Sequence, residues 1–113
     1  MSNEFSVRYD LSCMSSDVIY LITCKRCKKQ YVGQTHQKCS QRMNSHKFDI
    51  KHFPDTITNK SEHFNSEGHS IQDFSFMPID KVKNNWKRLL KETAWMYKLG
   101  TVIPDGMNSK LLY

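Results

Sequence analysis

Two cysteines and two histidines have the types and spacing of metal ligands. Cys24 and Cys27 form a CxxC pair, and His63 and His69 follow downstream. Two thiolates and two imidazoles would complete a closed tetrahedral Zn²⁺ site. The pairs are too far apart for a compact zinc finger, so the site would join distant segments of a small core. The alternative is free cysteines and surface histidines. Other residues could also replace a ligand: His52, Cys13 and Cys39.

A second group of residues could bind phosphate or a catalytic metal. Arg42 and His46 lie four residues apart on the apolar stripe of a predicted helix. A guanidinium at a core boundary needs a partner, either a structural carboxylate or a phosphate that matches its N–H donors. Glu92 could form an i,i+4 ion pair with Arg88. It could instead hold Mg²⁺ together with phosphate oxygens and waters.

Two tyrosines lie on the strands that would carry these groups. Residues 18–24 are β-branched and aromatic and predict a buried strand, and residues 29–33 predict a second strand that closes a hairpin. Tyr20 and Tyr31 then lie on adjacent strands and could face the same side. Two core aromatics would be the plainer explanation.

The remaining elements follow from hydrophobic periodicity. A helix is predicted over 36–50, a short helix over 61–67, a strand over 71–79 and a final helix over 84–99 that ends at Gly100. The order is β-β-α-(α)-β-α, which predicts a small α/β (α+β) domain. The main apolar stripe of the final helix has five members: Trp86, Leu89, Leu90, Thr93 and Tyr97. Glu92 lies near a second apolar surface formed by three residues: Trp95, Met96 and Leu99.

Length and charge limit the classes of function. The 113 residues carry 17 Lys and Arg against 11 Asp and Glu, for a net charge of +6. We expect a loose lead-in over 1–16 and a single domain over 17–113. The positive charge favours a nucleic-acid partner. The candidate contacts are Lys25, Arg26, Lys28, Lys29, Lys87 and Arg88.

The sequence also bears on the cellular compartment. No apolar run is long enough to span a membrane, and no secretory signal is recognisable. The CxxC pair is typical of metal-binding or redox-active sites in reducing surroundings. We therefore expect an intracellular, nuclear or cytoplasmic protein.

Together these residues resemble the GIY-YIG nuclease family. Val18-Ile19-Tyr20 is similar to its first motif, with valine in place of glycine, and Tyr31-Val32-Gly33 is similar to its second. The family's site residues correspond, in order, to Tyr20, Tyr31, Arg42, His46, Glu92 and Asn108. The endonuclease domain of Penelope-like retroelements is the most similar group. Its two cysteines and later histidines correspond to Cys24, Cys27, His63 and His69. Gln34 stands where some relatives carry a lysine.

The resemblance implies a fold and an activity. The fold would be a small sandwich with a three-stranded antiparallel sheet, flanked by helices and cross-linked by zinc. The activity would be metal-dependent hydrolysis of DNA, with Glu92 binding Mg²⁺ or Mn²⁺ and Arg42 stabilising the phosphate. Tyr20, Tyr31 or His46 would act on the attacking water, and Asn108 would orient a tyrosine or a phosphate.

The retroelement resemblance also implies partners. Such a domain follows a reverse transcriptase in the same polyprotein and nicks DNA to prime reverse transcription, and paired cuts would require a homodimer. Two other functions remain open: a zinc-bound nucleic-acid-binding module without catalysis, and a thiol redox protein that uses Cys24 and Cys27.

Overall fold

A computed structural model describes residues 11–52, 63–66, 68–103 and 105–108. The elements are, in order, β1 (Val18–Cys24), β2 (Gln30–Thr35), α1 (Cys39–His52), a 3₁₀ turn (Ile71–Asp73), β3 (Phe74–Lys81) and α2 (Asn85–Leu99). This order confirms the predicted α+β class. Of the predicted helix over 61–67, residues 63 and 64 are helical, and its ends lie outside the described residues.

The sheet is antiparallel, with the strand order β2-β1-β3. β1 lies in the centre and is almost fully buried, because hydrophobic side chains project from both of its faces. Tyr20, Ile22 and Cys24 pack on the face that also contacts Ile50 of α1. Ile19 and Leu21 pack on the opposite face. The sheet therefore separates two hydrophobic clusters, as a sandwich requires.

The predicted bounds of three elements shift. β2 extends to Thr35, and α1 begins at Cys39 rather than at residue 36. β3 begins later than predicted, because Ser70 caps a 3₁₀ turn with a reciprocal capping box. β3 is an edge strand and therefore accommodates Pro78, as expected for a residue without an N–H donor.

α2 has the predicted ends but a different buried face. Asn84 caps its first turn, and Gly100 ends it in the left-handed conformation. Trp95, Met96 and Leu99 pack against the sheet. Three of the five members of the predicted main stripe are exposed instead: the exposed fractions of Trp86, Leu90 and Tyr97 are 65%, 47% and 68%.

The hydrogen bonds of Arg88 explain which face of α2 packs against the sheet. Arg88 lies on the sheet-facing side and is 3% exposed. Its guanidinium donates to Gln34 Oε1 at 2.8 Å and to the Val82 carbonyl at 2.9 Å. A buried guanidinium must keep such acceptors, so these bonds hold the helix in the observed orientation.

The segments outside the regular elements also contact the domain. Of the predicted lead-in, residues 1–10 lie outside the described part, but Cys13 and Ser15 accept hydrogen bonds from the first turn of α1. Thr101, Met107 and Asn108 are buried after α2. Within the described ranges, neither helix has the length and apolar character needed to cross a membrane.

Candidate active site and metal centre

Tyr20, His46 and Arg42 meet on the α1 side of the sheet. The Tyr20 hydroxyl lies 2.7 Å from His46 Nε2 and accepts a hydrogen bond from Arg42 Nε at 3.3 Å. Since the hydroxyl accepts from Arg42, its own proton is available to donate to His46 Nε2. Tyr20 and His46 are both 1% exposed. The predicted helix and hairpin therefore bring these three side chains together.

Two neighbours that the sequence reasoning missed hold the Tyr20 ring in place. Phe76 of β3 stacks on it at a centroid distance of 4.6 Å. Gly33 pairs with Tyr20 across the sheet, and a Cβ at Gly33 would overlap the Tyr20 ring. The second-motif glycine thus leaves the space that the first-motif tyrosine fills. In the sequence, Phe74 and Phe76 alternate with polar residues, and this pattern could have indicated an aromatic strand residue that packs on Tyr20.

Tyr31 lies on the same face and is more accessible than Tyr20. It pairs with Ile22 and contacts the His46 ring edge-on at 6.0 Å. The pKa of Tyr31 is raised by burial and then by the charge of Glu92, while Arg42 lowers it. The pKa of Tyr20 is also raised above its usual value, chiefly by burial. Both phenols are therefore protonated at neutral pH.

Glu92 is the acidic group of this cluster. Its charge raises the pKa of both Tyr20 and Tyr31, which places it within electrostatic range of the two phenols. Burial raises the pKa of Glu92 itself to about 7. Within the described residues, the salt bridges are Arg26–Asp73 and Arg88–Asp17, so the Arg88–Glu92 pair, one of the two alternatives for Glu92, does not form. A partly buried carboxylate without an ion pair suits a divalent cation.

A polar groove opens beside Arg42. Its volume is about 440 Å³. Arg42 and residues 34–37 form one wall, and Asn85, Arg88 and Leu89 of α2 form the other. Glu92 follows Leu89 by one helical turn. Of the candidate catalytic side chains, Arg42 lines this groove, and Glu92 lies on the same helix as its second wall.

Arg88 is buried and bonded within the domain, which corrects the prediction of an exposed DNA contact at this position. Besides Gln34 and Val82, its guanidinium bonds Asn85 Oδ1 at 2.7 Å and lies 3.5 Å from Asp17 Oδ1. Gln34 is therefore held by Arg88. Lys87, one residue earlier, is exposed and stays available to a polyanion.

Asn108 supports the site through the backbone. Its side-chain amide donates to the Val32 carbonyl at 2.9 Å, and its oxygen accepts from the Val32 N–H at 2.8 Å. The hydroxyl of Thr101 donates to the same oxygen at 2.7 Å. Val32 lies between Tyr31 and Gly33. The amide therefore positions the second motif by pairing with its backbone rather than by contacting a phenol.

The four predicted zinc ligands converge at the tip of the β1–β2 hairpin. The ligand atoms of Cys24, Cys27, His63 and His69 all lie within 4.8 Å of one another. Cys27 Sγ is 3.4 Å from His63 Nε2. This donor set and its compactness fit a tetrahedral Zn²⁺ site. Of the alternative ligands, Cys13, Cys39 and His52 are outside the cluster.

The surroundings favour the forms that zinc requires at Cys27 and His63, whereas burial raises the pKa of the Cys24 thiol. Burial opposes ionisation of Cys27, yet hydrogen bonds from the Lys29 backbone and from His69 lower the pKa of its thiol. Burial, followed by His69 and Lys29, lowers the pKa of His63. The Ser66 hydroxyl lies 3.2 Å from His69 Nδ1, which turns Nε2 of that ring toward the cluster.

The segment that carries the two histidines is anchored by one aromatic residue. Phe64 is 1% exposed and packs edge-on against Phe74 at 5.5 Å. The adjacent Asn65 donates to the Ile50 carbonyl near the end of α1. Packing and capping therefore hold His63 near the hairpin tip.

The basic residues of the hairpin tip surround this cluster. Lys25, Arg26, Lys28 and Lys29 are exposed. Arg26 is close to Asp73 at 3.5 Å, but its side chain stays 60% exposed. Lys28 adopts a positive φ of 70°, which lets the chain turn between the two strands. The tip therefore combines fixed geometry with a concentrated positive charge.

The comparisons with known proteins agree with this arrangement. The family model of the GIY-YIG catalytic domain matches residues 17–98. No curated protein and no solved structure matches the chain significantly. The family match covers most of the chain and includes both tyrosine motifs, Arg42, His46 and Glu92. The chain therefore belongs to the GIY-YIG family, and its domain is a nuclease of that type.

Proposed function

We propose that this nuclease is a divalent-metal-dependent DNA endonuclease whose active site is formed by Tyr20, Tyr31, Arg42, His46 and Glu92. The observation that carries the proposal is the 2.7 Å contact between the Tyr20 hydroxyl and His46 Nε2, next to Arg42. This contact joins a proton donor and a proton acceptor, and the adjacent cation, Arg42, also lines the groove. Hydrolysis of a phosphodiester needs these functions together.

The chain's own residues divide the proton chemistry between them. Tyr20 donates its proton to His46 Nε2 as it takes a proton from the attacking water, so His46 is the final base. This relay suits a phenol whose pKa is raised, because Tyr20 never has to exist as a free phenolate. Tyr31 is more accessible and orients the water. Arg42 stabilises the negative charge that develops on the phosphate oxygens.

Glu92 is the proposed ligand of Mg²⁺ or Mn²⁺. Its carboxylate is partly buried, lacks an ion pair within the described residues and lies within electrostatic range of both tyrosines. The bound cation would neutralise charge on the scissile phosphate and on the leaving oxygen. One carboxylate plus phosphate oxygens and waters is a common ligand set for Mg²⁺.

Zinc is proposed to have a structural role. Cys24, Cys27, His63 and His69 supply four protein ligands, which leaves no open position for a substrate. The cluster lies at the hairpin tip, with the basic residues around it. We propose that the ion fixes this tip against DNA and that the thiols require a reducing, intracellular compartment.

The biological setting is proposed from the resemblance to Penelope-like retroelements. The paired cysteines between the tyrosine motifs and the later histidines support that affiliation. In that setting the domain nicks DNA to prime reverse transcription and works beside a reverse transcriptase domain. One active site per chain accounts for nicking, and a homodimer would be needed for paired cuts.

A plasmid nicking assay tests the proposed function. Purified protein with Mg²⁺ or Mn²⁺ should convert supercoiled DNA to the relaxed circle, and Glu92→Gln and Arg42→Ala should not. Both variants should keep their zinc and stay folded. Cleavage by Glu92→Gln at the wild-type rate would reject the metal site. If no protein cuts while salt-sensitive binding persists, the non-catalytic binding module is the better description.

The roles of the phenols are separated by two further variants. Tyr20→Phe breaks the relay to His46 and should abolish nicking, as should His46→Gln. Tyr31→Phe removes only the group that orients water and should retain a low residual rate. A larger loss for Tyr31→Phe than for Tyr20→Phe would reverse the assignment of the two tyrosines.

A further inference from the structure

The exposed face of α2 carries large apolar side chains that the fold does not use. Trp86, Leu90 and Tyr97 recur at helical spacing and are exposed by 65%, 47% and 68%. The opposite side of the same helix supplies the packing against the sheet. Large aromatic residues on a surface mark a site of interaction when they form a continuous stripe. We call these three residues the α2 stripe.

The charges beside the α2 stripe favour a polyanionic partner. Lys87, Lys91 and Lys98 follow the stripe along the neighbouring side of the helix and are exposed. The chain as a whole carries a net charge of +6. A second copy would bring the same lysines against one another, and this repulsion disfavours self-association through the stripe. A nucleic acid offers phosphates for the lysines and flat bases for the aromatic rings.

The first turn of α2 connects the stripe to the active site. Asn85, Arg88 and Leu89 line the groove that Arg42 closes on its other side. Trp86 lies between these positions in the sequence and about 60° from Leu89 around the helix, so its indole flanks the groove. A strand whose phosphate enters the groove would therefore place a neighbouring base near Trp86.

We propose that Trp86 stacks on an unpaired base next to the scissile phosphate, so that the nuclease prefers DNA with single-stranded or distorted segments. Bases within an intact duplex are already stacked on one another and leave no face for the indole. An unpaired base has such a face, and aromatic stacking is tolerant of sequence. The lysines contact the backbone on either side. This inference rests on the proposed function for the position of the scissile phosphate.

Tryptophan fluorescence in the Glu92→Gln background tests the proposal without added divalent metal, so that cleavage does not interfere. A short oligothymidylate should quench the emission saturably and should bind more tightly than a duplex of equal length. Trp86→Leu should remove the quenching, although Trp95 still emits. It should also weaken binding of the single strand by about tenfold. Its affinity for duplex should change by less than about twofold.

Phe48→Leu is the matched control, because Phe48 is an exposed aromatic residue on α1 with an exposed fraction of 53%. This variant should bind both DNA forms as the parent does. The proposal would be overturned if Trp86→Leu weakened binding of single strand and duplex equally. It would also be overturned if the oligonucleotide left the tryptophan emission unchanged. A dimer in sedimentation that Trp86→Leu dissociates would assign the stripe to self-association and overturn it as well.

The two proposals fail in different ways. If wild type nicks plasmid but Trp86 does not respond to the oligonucleotide, the stacking site is rejected and the endonuclease stands. If Trp86 responds as expected but neither metal supports nicking, Trp86 still binds unpaired bases, while the catalytic assignment and the position beside a scissile phosphate are rejected. Melting temperatures of Trp86→Leu and Phe48→Leu, both surface substitutions, should stay at the parent value.

Discussion

At the scale of single residues, burial decides the protonation states of the site. A tyrosine that acted as a phenolate base would need stabilisation by Arg42, His46 and a metal. In the structure, burial raises the pKa of Tyr20 by more than Arg42 lowers it. A neutral phenol between an acceptor and a guanidinium suits the proposed relay better than the role of a base.

Glu92 makes the stability of the metal-free protein dependent on pH. Its pKa rises from 4.5 to about 7 on folding, so the folded state binds this proton more tightly. The stabilisation is complete below pH 4.5 and is lost as the pH rises through 7. Because the carboxyl keeps contact with water, we expect a loss of about 1–2 kcal/mol between pH 5 and pH 8. Urea unfolding at the two pH values measures it.

Glu92→Gln supplies the control for this titration, because the amide has a similar shape and no proton to lose. Between the two pH values, the unfolding free energy of the variant should therefore fall by about 1–2 kcal/mol less than that of the wild type. Mg²⁺ should restore stability to the wild type at pH 8 and leave Glu92→Gln unchanged. An identical decline in both proteins would show that another group is responsible.

At the scale of elements, the pairing of β1 with β2 places Gly33 of the second tyrosine motif opposite Tyr20 of the first. Gly33→Ala introduces a Cβ that overlaps the Tyr20 ring. We expect the ring to be displaced from His46 and Arg42, with loss of nicking and about 1–3 kcal/mol of unfolding free energy. Denaturant unfolding and the plasmid assay measure the two effects.

Gly100→Ala is the comparison for Gly33→Ala. Gly100 has a φ of 62° and open space around its Cα, so alanine costs about 1 kcal/mol through backbone strain alone. The variant should be less stable and should still nick DNA. If both variants retain activity in proportion to their stability, the Gly33–Tyr20 contact has no special role.

The Cys/His cluster, the proposed zinc site, joins the hairpin to the segment after α1. Cys24→Ser should reduce the zinc content from about one ion per chain to none and lower the melting temperature markedly. The melting temperature should fall because the small core loses a cross-link between distant segments. Metal analysis and thermal unfolding measure both effects. Cys13→Ser alters an exposed thiol outside the cluster and should change neither quantity. Unchanged zinc in Cys24→Ser would reject the ligand set.

At the scale of the whole molecule, Asn108 closes the fold by bonding to a strand 76 positions earlier in the sequence. Asn108→Leu would leave the buried N–H and C=O of Val32 without partners. We expect a loss of about 2–4 kcal/mol in unfolding free energy, with nicking reduced because β2 carries Tyr31. Chemical denaturation and the nicking rate measure the result.

Asn44 is exposed on α1, so replacing it by leucine is a control that makes the same substitution at a surface position. Asn44→Leu should shift the unfolding free energy by less than about 0.5 kcal/mol. A stable Asn108→Leu variant that has lost nicking would contradict the backbone role and would indicate direct contact with the reaction.

Local patterns were sufficient for much of this protein. The β-branched run of β1, the helical stripe of α1 and the stop at Gly100 each act within a few residues, so the sequence predicted the elements and their order. The motif spacing also singled out the zinc ligands and the catalytic candidates, because reactive groups need particular side-chain types. Tyr20, Arg42 and His46 do come together in the structure.

The tertiary structure decided what depends on distant contacts. Periodicity marked two apolar surfaces on α2, and only the bonds of Arg88 to Gln34 and Val82 selected the buried one. The same bonds turned Arg88 from a surface candidate into a structural residue. Burial, which a sequence does not display, fixed the raised pKa values of Tyr20 and Glu92. Side-chain types and local spacing thus determined the parts of the site, while long-range packing determined their charge states and accessibility.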